Sequence, residues 1–589
     1  MNFKLSSLVY ILLLGVGFNS YSGIATAANI SYRIHTEVKP DITKNELAKA
    51  KHDMVVTSNI EASQIAFNIL HQGGGNAVDA AIAAAFVLSV VEPQKSGLGG
   101  GGYAIYYVKK SEEILTFDGR AAVPQSRYNL KLLSKFKSKN NQAKVVAIPG
   151  ELALLYQLHQ KNGKLPWNEL VQPAIKLAEE GFTINDRLYD ALVLEKNTID
   201  KIPQVQSMFF TSNNKIKKVG SIVKNPEYAD TLKLIAAHPN VFYRGKIGKN
   251  IMSAVNNIAD GQILNASDFK DYIILNKKPI CSFYREKYQI CSLAPSSVGG
   301  ITLEELLLIY SQVYYPTNEH DVNWIYYFIE ASKLAYADRN NYIKNYAQNY
   351  DLDSQNIDYD YLKSSYIDAR SKLITKNQLN VSENINKQEA KAFLRQHVQP
   401  VNNNQMGATS IAIVDEEGNA INLTLNLENL FGSKIWVDGF FLNDVLKNLS
   451  LPAHKLDKNN NLIEEEQLRP ASMMTPNIVL DEFGNVKLIT SSTGGNPLTC
   501  YVAKNIILML DFNLDPYSAS KFGNLCSINN RPLLEANSNI EQYVSLLNNK
   551  NESALPADLT SAEVSIIKGN NGYWYGASDP REIGLAIGE

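Results

Sequence analysis

The hydrophobic pattern is sharpest between residues 60 and 108. Residues 60–70 carry apolar positions at helical spacing and run into Gly73-Gly74-Gly75, which predicts an amphipathic helix with a glycine stop. Asn76 and Asp79 then stand where an N-cap residue and its reciprocal partner belong. Residues 77–91 are apolar on nearly every face and halt at Glu92-Pro93. That run is too short to span a bilayer, so it predicts a helix buried inside a layered core. Gly97-Leu98-Gly99-Gly100-Gly101-Gly102 follows and leads into strand-like residues 103–108. The glycines formally satisfy a dinucleotide fingerprint, but that motif needs a strand before it and a helix after it. Here the order is reversed. The run predicts a tight turn and close backbone packing instead.

Further along, Pro149-Gly150-Glu151 opens a helix, and residues 170–180 and 326–338 predict two more. Residues 383–407 turn polar, with Gln399-Pro400 and Asn402-Asn403-Asn404, and read as a mobile connector. Strand patterns follow at 410–414, 420–427, 478–480 and 486–490, while 451–467 reads as a solvated loop. Helices and strands together give the α/β class. Residues 282–290 predict a hairpin turning near Arg285-Glu286, which sets Cys281 and Cys291 across the strands from each other at disulfide distance. Cys500 and Cys526 have no such local argument, and buried free thiols are the alternative for the cysteines.

The first residues read as a processing signal. Lys4 precedes a short apolar run at 8–18, and Ala25-Thr26-Ala27 supplies the small residues of a cleavage site. Residues 1–27 are therefore expected to be removed on export to the periplasm or the exterior; a buried first helix is the other reading.

Composition narrows the partner. The chain has 589 residues, is 45% hydrophobic and has a net charge of -2, which suits a large core and excludes a disordered chain. No basic stretch points to nucleic acid or an anionic membrane surface. A small neutral or zwitterionic substrate fits better. The eight histidines show no metal-ligand spacing, and neither H-E-x-x-H nor G-x-S-x-G occurs. Metal, cofactor and serine-hydrolase chemistry are set aside.

Several segments, in order along the chain, resemble the γ-glutamyltranspeptidase family. They are Gly74-Gly75-Asn76-Ala77-Val78-Asp79-Ala80-Ala81, the glycine run 97–102, Phe117-Asp118-Gly119-Arg120, Pro295-Ser296-Ser297-Val298-Gly299-Gly300, Ala335-Tyr336-Ala337-Asp338-Arg339 and Tyr575-Gly576-Ala577-Ser578-Asp579-Pro580-Arg581. The resemblance implies a four-layer αββα N-terminal-nucleophile hydrolase sandwich, formed jointly by a large segment, 28–407, and a small segment, 408–589, that stay associated after self-cleavage. A threonine at the new N-terminus would attack γ-glutamyl amides such as glutathione, its free α-amine serving as base. Arg120 sits where the family binds the substrate α-carboxylate, and Glu428 is retained as a further substrate-binding position. Gly494 and Gly495 match the pair whose N–H groups form the oxyanion hole.

The chain also departs from the family. Anchored on Val414-Asp415 and Gly418-Asn419-Ala420, the cleavage motif reads Ala408-Thr409-Ser410-Ile411-Ala412, so alanine occupies the nucleophile position and Ser410 that of a histidine. A methyl group cannot attack a carbonyl. Thr409 is the substitute, but successive strand side chains face opposite sides, so only a bulge or register slip would present its hydroxyl to the site. Asn426 replaces the family's second catalytic threonine. Asn448 replaces the carboxylate that fixes the substrate ammonium, and Ser472 is followed by Met473 where a second serine is expected. Three functions follow. The chain is a glutathione hydrolase and γ-glutamyltransferase working through Thr409, an acylase for glutaryl-like amides, or a non-catalytic relative that binds a carboxylate ligand or partner.

Overall fold

The computed structural model describes residues 47–124, 142–316, 323–346, 362–374, 406–448, 468–548 and 553–589, without the side chains of 341–346, 406, 448 and 546. The expected signal 1–27, the loop 451–467 and nearly all of the connector lie outside the described residues. The connector's expected end is corrected: Met406 and Gly407 already belong to a strand, Met406–Val414.

Two antiparallel sheets face each other. One has six strands in the order Leu585–Ile587, Met54–Thr57, Met406–Val414, Ala420–Asn429, Gly101–Val108 and Glu113–Gly119. The other has seven, in the order Ala48–Ala50, Trp574–Ser578, Val564–Lys568, Val486–Ser491, Asn477–Leu480, Tyr288–Ser292 and Ile280–Tyr284. Both sheets draw strands from either side of residue 408.

Strand alternation creates the layers, because successive side chains leave opposite faces of a sheet. In the Met406–Val414 strand, Ile411 and Ile413 join a core with the helices Ile60–His71, Ala77–Val91 and Trp167–Glu180. Ala412 and Val414 join Ile478, Ile489 and Val564 in a core between the sheets. In the second sheet Val479, Leu488 and Ile567 turn outward to the helices Val298–Val313, Trp324–Tyr346 and Leu498–Leu510. The result is helix, sheet, sheet, helix: the αββα sandwich.

The expected buried helix is Ala77–Val91, and every one of its residues is buried. Its start is fixed by a reciprocal cap: the Asp79 N–H donates to the Asn76 side chain, and the Asn76 N–H donates to the Asp79 carboxylate. Desolvation raises the Asp79 pKa, and N–H groups of Asn76, Lys164 and Leu165 counteract it.

The glycine run packs as its sequence context implies. A methyl group on Gly100 would overlap the Asn426 carbonyl oxygen, and one on Gly102 the Thr424 carbonyl oxygen. The hairpin pairs Cys281 directly opposite Cys291, and the two form a disulfide. Cys500 and Cys526 form a second one, between the helix Leu498–Leu510 and the strand Leu525–Ile528, so no cysteine remains free. That removes the free-thiol reading.

Candidate functional site

Ala420–Asn429 lies between Met406–Val414 and Gly101–Val108, with Asn426 opposite both Ala408 and Gly101. Beyond Asn426 the register shifts by one residue, and Glu428 takes a left-handed φ of 83° opposite Gly407. A bulge of this kind re-aims side chains at a strand end, and a non-glycine residue in that region is a strained feature associated with functional sites.

Arg120 follows the strand Glu113–Gly119 and is fully buried. Its Nη1 donates to Asn426 Oδ1 at 2.9 Å, its Nη2 to Glu428 Oε2 at 2.7 Å and its Nε to the Pro470 carbonyl at 3.4 Å. Asn426 Nδ2 also donates to Glu428 Oε2. A guanidinium has five N–H donors, so two of them remain for a ligand among the described residues. Burial works against the Arg120 charge, but Glu428 with Tyr103 and Asp118 outweighs it, and the pKa rises. The charge is locked in.

A second polar chain lies beside the first. Arg469 Nη1 meets Asp118 Oδ1 at 2.7 Å, Ser296 Oγ donates to Asp118 Oδ2 at 2.7 Å, and the Tyr103 hydroxyl lies 2.7 Å from Ser296 Oγ. Burial pushes the Asp118 carboxyl up, but Arg469 and Ser296 overcome it and hold it below its usual range. The Asp118 and Ser296 segments were legible as landmarks without a role. Arg469 and Tyr103 carried no signal of their own.

Ser472 continues from Pro470. Its N–H donates to the Ser296 carbonyl, its own carbonyl accepts from Val298 and Gly299, and its Oγ accepts the Met474 N–H. Met473 is buried, with its Sδ against Arg339 Nε. Gly494 and Gly495 have φ of 133° and 73°, and among the described residues neither N–H donates a hydrogen bond. A side chain at Gly494 would collide with the Tyr501 ring. Asn448 ends the short 3-10 turn Val445–Asn448, and its side chain lies outside the described residues.

Ala408 and Thr409 point opposite ways. The register of this strand with Ala420–Asn429 runs unbroken from Ala408 to Val414, so no slip turns Thr409 round; the one shift lies opposite Gly407. The Thr409 hydroxyl is fully buried, 2.5 Å from Ser58 Oγ, which donates to Glu92 Oε2. Lys95 Nζ lies 3.5 Å from Glu92 Oε1 and 2.9 Å from Glu582 Oε2. Thr409 thus belongs to a polar cluster at the end of the buried helix. Ala408 lies opposite Asn426. Ser410 and Thr424, directly opposite each other, have hydroxyls without a partner among the described residues.

Residues 62–589 match the family model described as Gamma-glutamyltranspeptidase. The chain belongs to this family. Glutathione hydrolase 2 of Arabidopsis thaliana is 30% identical over 80% of this chain and 79% of its own. The glutathione hydrolase proenzyme of Escherichia coli (strain K12) is 28% identical over 95% of this chain and 94% of its own. Among solved structures, cephalosporin acylase from Bacillus halodurans shares the fold, with a TM-score of 0.77, 22% identity and coverage of 94% of this chain and 99% of that one. The γ-glutamyltranspeptidase of Helicobacter pylori gives a TM-score of 0.50 and 27% identity, covering 58% of this chain and 96% of that one.

Within this γ-glutamyltranspeptidase fold, among the described residues no three His, Cys, Asp or Glu side chains converge on a metal position, and no helix is long and apolar enough to cross a membrane. Beneath the glycine run, Glu151 is fully buried; Oε2 accepts the Gly97 N–H and Oε1 has no partner among the described residues. Burial pushes its pKa from 4.5 to about 8, against a small opposing effect of the Gly97 bond. A carboxyl raised in the folded state favours folding at low pH, and that contribution is lost as pH climbs from its unfolded to its folded value. Glu151→Gln is therefore expected to match the parent in stability near pH 4.5 and to gain on it up to pH 8, by at most about 4–5 kcal/mol. Thermal melts of both proteins from pH 4.5 to 9 check this, and parallel curves exclude it.

Proposed function

We propose that this chain binds γ-glutamyl compounds, glutathione among them, and that with alanine at 408 it neither cleaves itself nor turns substrate over. One observation carries this reading. The hydroxyl next to the family's cleavage point, that of Thr409, is hydrogen-bonded on the helix-facing side of the sheet, and the residue opposite Asn426 is Ala408. Nucleophilic catalysis needs a hydroxyl and its base within hydrogen-bond reach of the bound carbonyl. A methyl group supplies neither.

The binding half of the proposal rests on retained chemistry. Arg120, oriented by Asn426 and Glu428, would take the α-carboxylate through its two spare N–H donors. Ser472 would add a hydrogen bond beside it, with Met473 lining the neighbouring wall. Asn448 would accept from the α-ammonium without the charge of a carboxylate. The N–H groups of Gly494 and Gly495 would receive the γ-carbonyl oxygen. The segments 28–407 and 408–589 would remain one polypeptide, exported after loss of residues 1–27. Two disulfides agree with an oxidising compartment.

The mature protein is expected to run as one band on a denaturing gel, to begin near Ala28, to bind glutathione and to leave a γ-glutamyl anilide intact. Two fragments, the smaller beginning at Thr409, would overturn the proposal in favour of an active hydrolase.

A further inference from the structure

Among the described residues, the other arginines with little exposure come with a carboxylate. Arg120 has Glu428, Arg285 has Asp511, Arg370 has Asp338, Arg469 has Asp118 and Arg581 has Glu535. Arg339 breaks the rule. It is half-buried, yet among the described residues its guanidinium meets only neutral acceptors: Met473 Sδ at 2.9 Å, Asn340 Oδ1 at 3.2 Å and Asn496 Oδ1 at 3.5 Å. Its carbon Cζ also lies 5.6 Å from the centre of the Tyr336 ring. The adjacent carboxylate, Asp338, is committed to Arg370 through both oxygens.

Desolvating a guanidinium without an anion is unfavourable. A thioether is a poor acceptor, and the two amides supply no charge. Burial accordingly lowers the Arg339 pKa, with Tyr336 opposing it. The planar fork of arginine suits bidentate carboxylate recognition.

Its neighbours tie Arg339 to the pocket. Asn496 directly follows Gly494 and Gly495, and its carbonyl accepts the Tyr336 hydroxyl at 2.6 Å. Met473 directly follows Ser472. The segment from Pro470 to Met473 therefore carries a guanidinium at each end, Arg120 on the Pro470 carbonyl and Arg339 on the Met473 sulfur. The Cα atoms of residues 470 and 473 can be no more than about 11 Å apart. A ligand three residues long has a similar reach.

We infer that Arg339 forms a second carboxylate subsite, which binds the C-terminal carboxylate of a γ-glutamyl peptide whose α-carboxylate lies on Arg120. This rests on the proposed binding of γ-glutamyl compounds. It selects peptides that end in a free carboxylate over γ-glutamyl amines and amides.

The test compares glutathione with its glycinamide analogue, which differs only in that carboxylate, by calorimetric titration of the full-length mature protein. The parent is expected to bind glutathione about 10- to 100-fold more tightly than the amide, the range of a charge-assisted hydrogen bond. Arg339→Gln should lose that factor for glutathione and keep the parent's affinity for the amide. Arg339→Lys should recover part of it. Equal affinity of the parent for both ligands would overturn the second subsite and leave the Arg120 pocket standing. Equal loss of both ligands in Arg339→Gln would show a role in holding Met473 and Asn496, and also overturns it. Binding of neither ligand by the parent removes the pocket and the subsite together.

Discussion

Ala408→Thr is expected to split the chain between Gly407 and residue 408 and to raise γ-glutamyl anilide hydrolysis by at least about 10³-fold. The position suits the substitution: it lies in a strand, where a β-branched residue is favoured. It also faces Asn426, which Arg120 holds on one side and Glu428 on the other. The preceding peptide is clamped, since a side chain on Gly407 would collide with the carbonyls of Asn429 and Gln94. Removing a nucleophile costs an enzyme on the order of 10⁶-fold in turnover. A smaller recovery is expected here if, as the family resemblance implies, Ser410, Asn426 and Met473 also stand in place of residues that assist the reaction. The companion substitution, Thr409→Ala, should leave the parent uncut and the Ala408→Thr protein cut, because that hydroxyl is engaged by Ser58. N-terminal sequencing of the small fragment and an anilide assay decide the matter. An Ala408→Thr protein that melts cooperatively yet stays whole would mean that more than the hydroxyl has been lost.

Arg120→Met should abolish γ-glutamyl ligand binding and destabilise the fold by about 3–5 kcal/mol. Both effects come from the same guanidinium. Removing the guanidinium strips Glu428 of its 2.7 Å ion pair and leaves a carboxylate with little solvent access in a strained backbone position. The binding loss follows from the spare N–H donors that only an arginine provides in a planar fork. Adding Glu428→Gln to Arg120→Met separates the two effects. The double variant should regain most of the stability, because no uncompensated charge remains buried, and none of the binding. Denaturant titration and calorimetry on the two proteins measure each part. If Arg120→Met alone binds glutathione like the parent, the carboxylate is held elsewhere.

Much of the scaffold is legible in the sequence. The reciprocal cap of Asn76 and Asp79, the wholly buried helix behind it and the close packing of the glycine run each depend on a few adjacent residues. So did the pairing of Cys281 with Cys291 across a hairpin. The Cys500–Cys526 bond was not legible, because it joins a helix to a strand of another sheet and no local geometry brings them together. The partners of Arg120 were legible only as family positions. Those of Asp118 and of Thr409 were not legible at all, as Arg469 and Ser58 each lie 351 residues away.

The sequence by itself determined which elements form and which way consecutive side chains point. The opposition of Ala408 and Thr409 follows from the two-residue period of a strand and needs no other part of the chain. Only the tertiary structure decided which polar groups meet. The stacking of two sheets and the register of strands remote in sequence bring Glu428 to Arg120, close Ser58 over Thr409 and set Arg339 against Met473. Those pairings are fixed by burial across the whole core, and burial is a property of the assembled layers rather than of any segment within them.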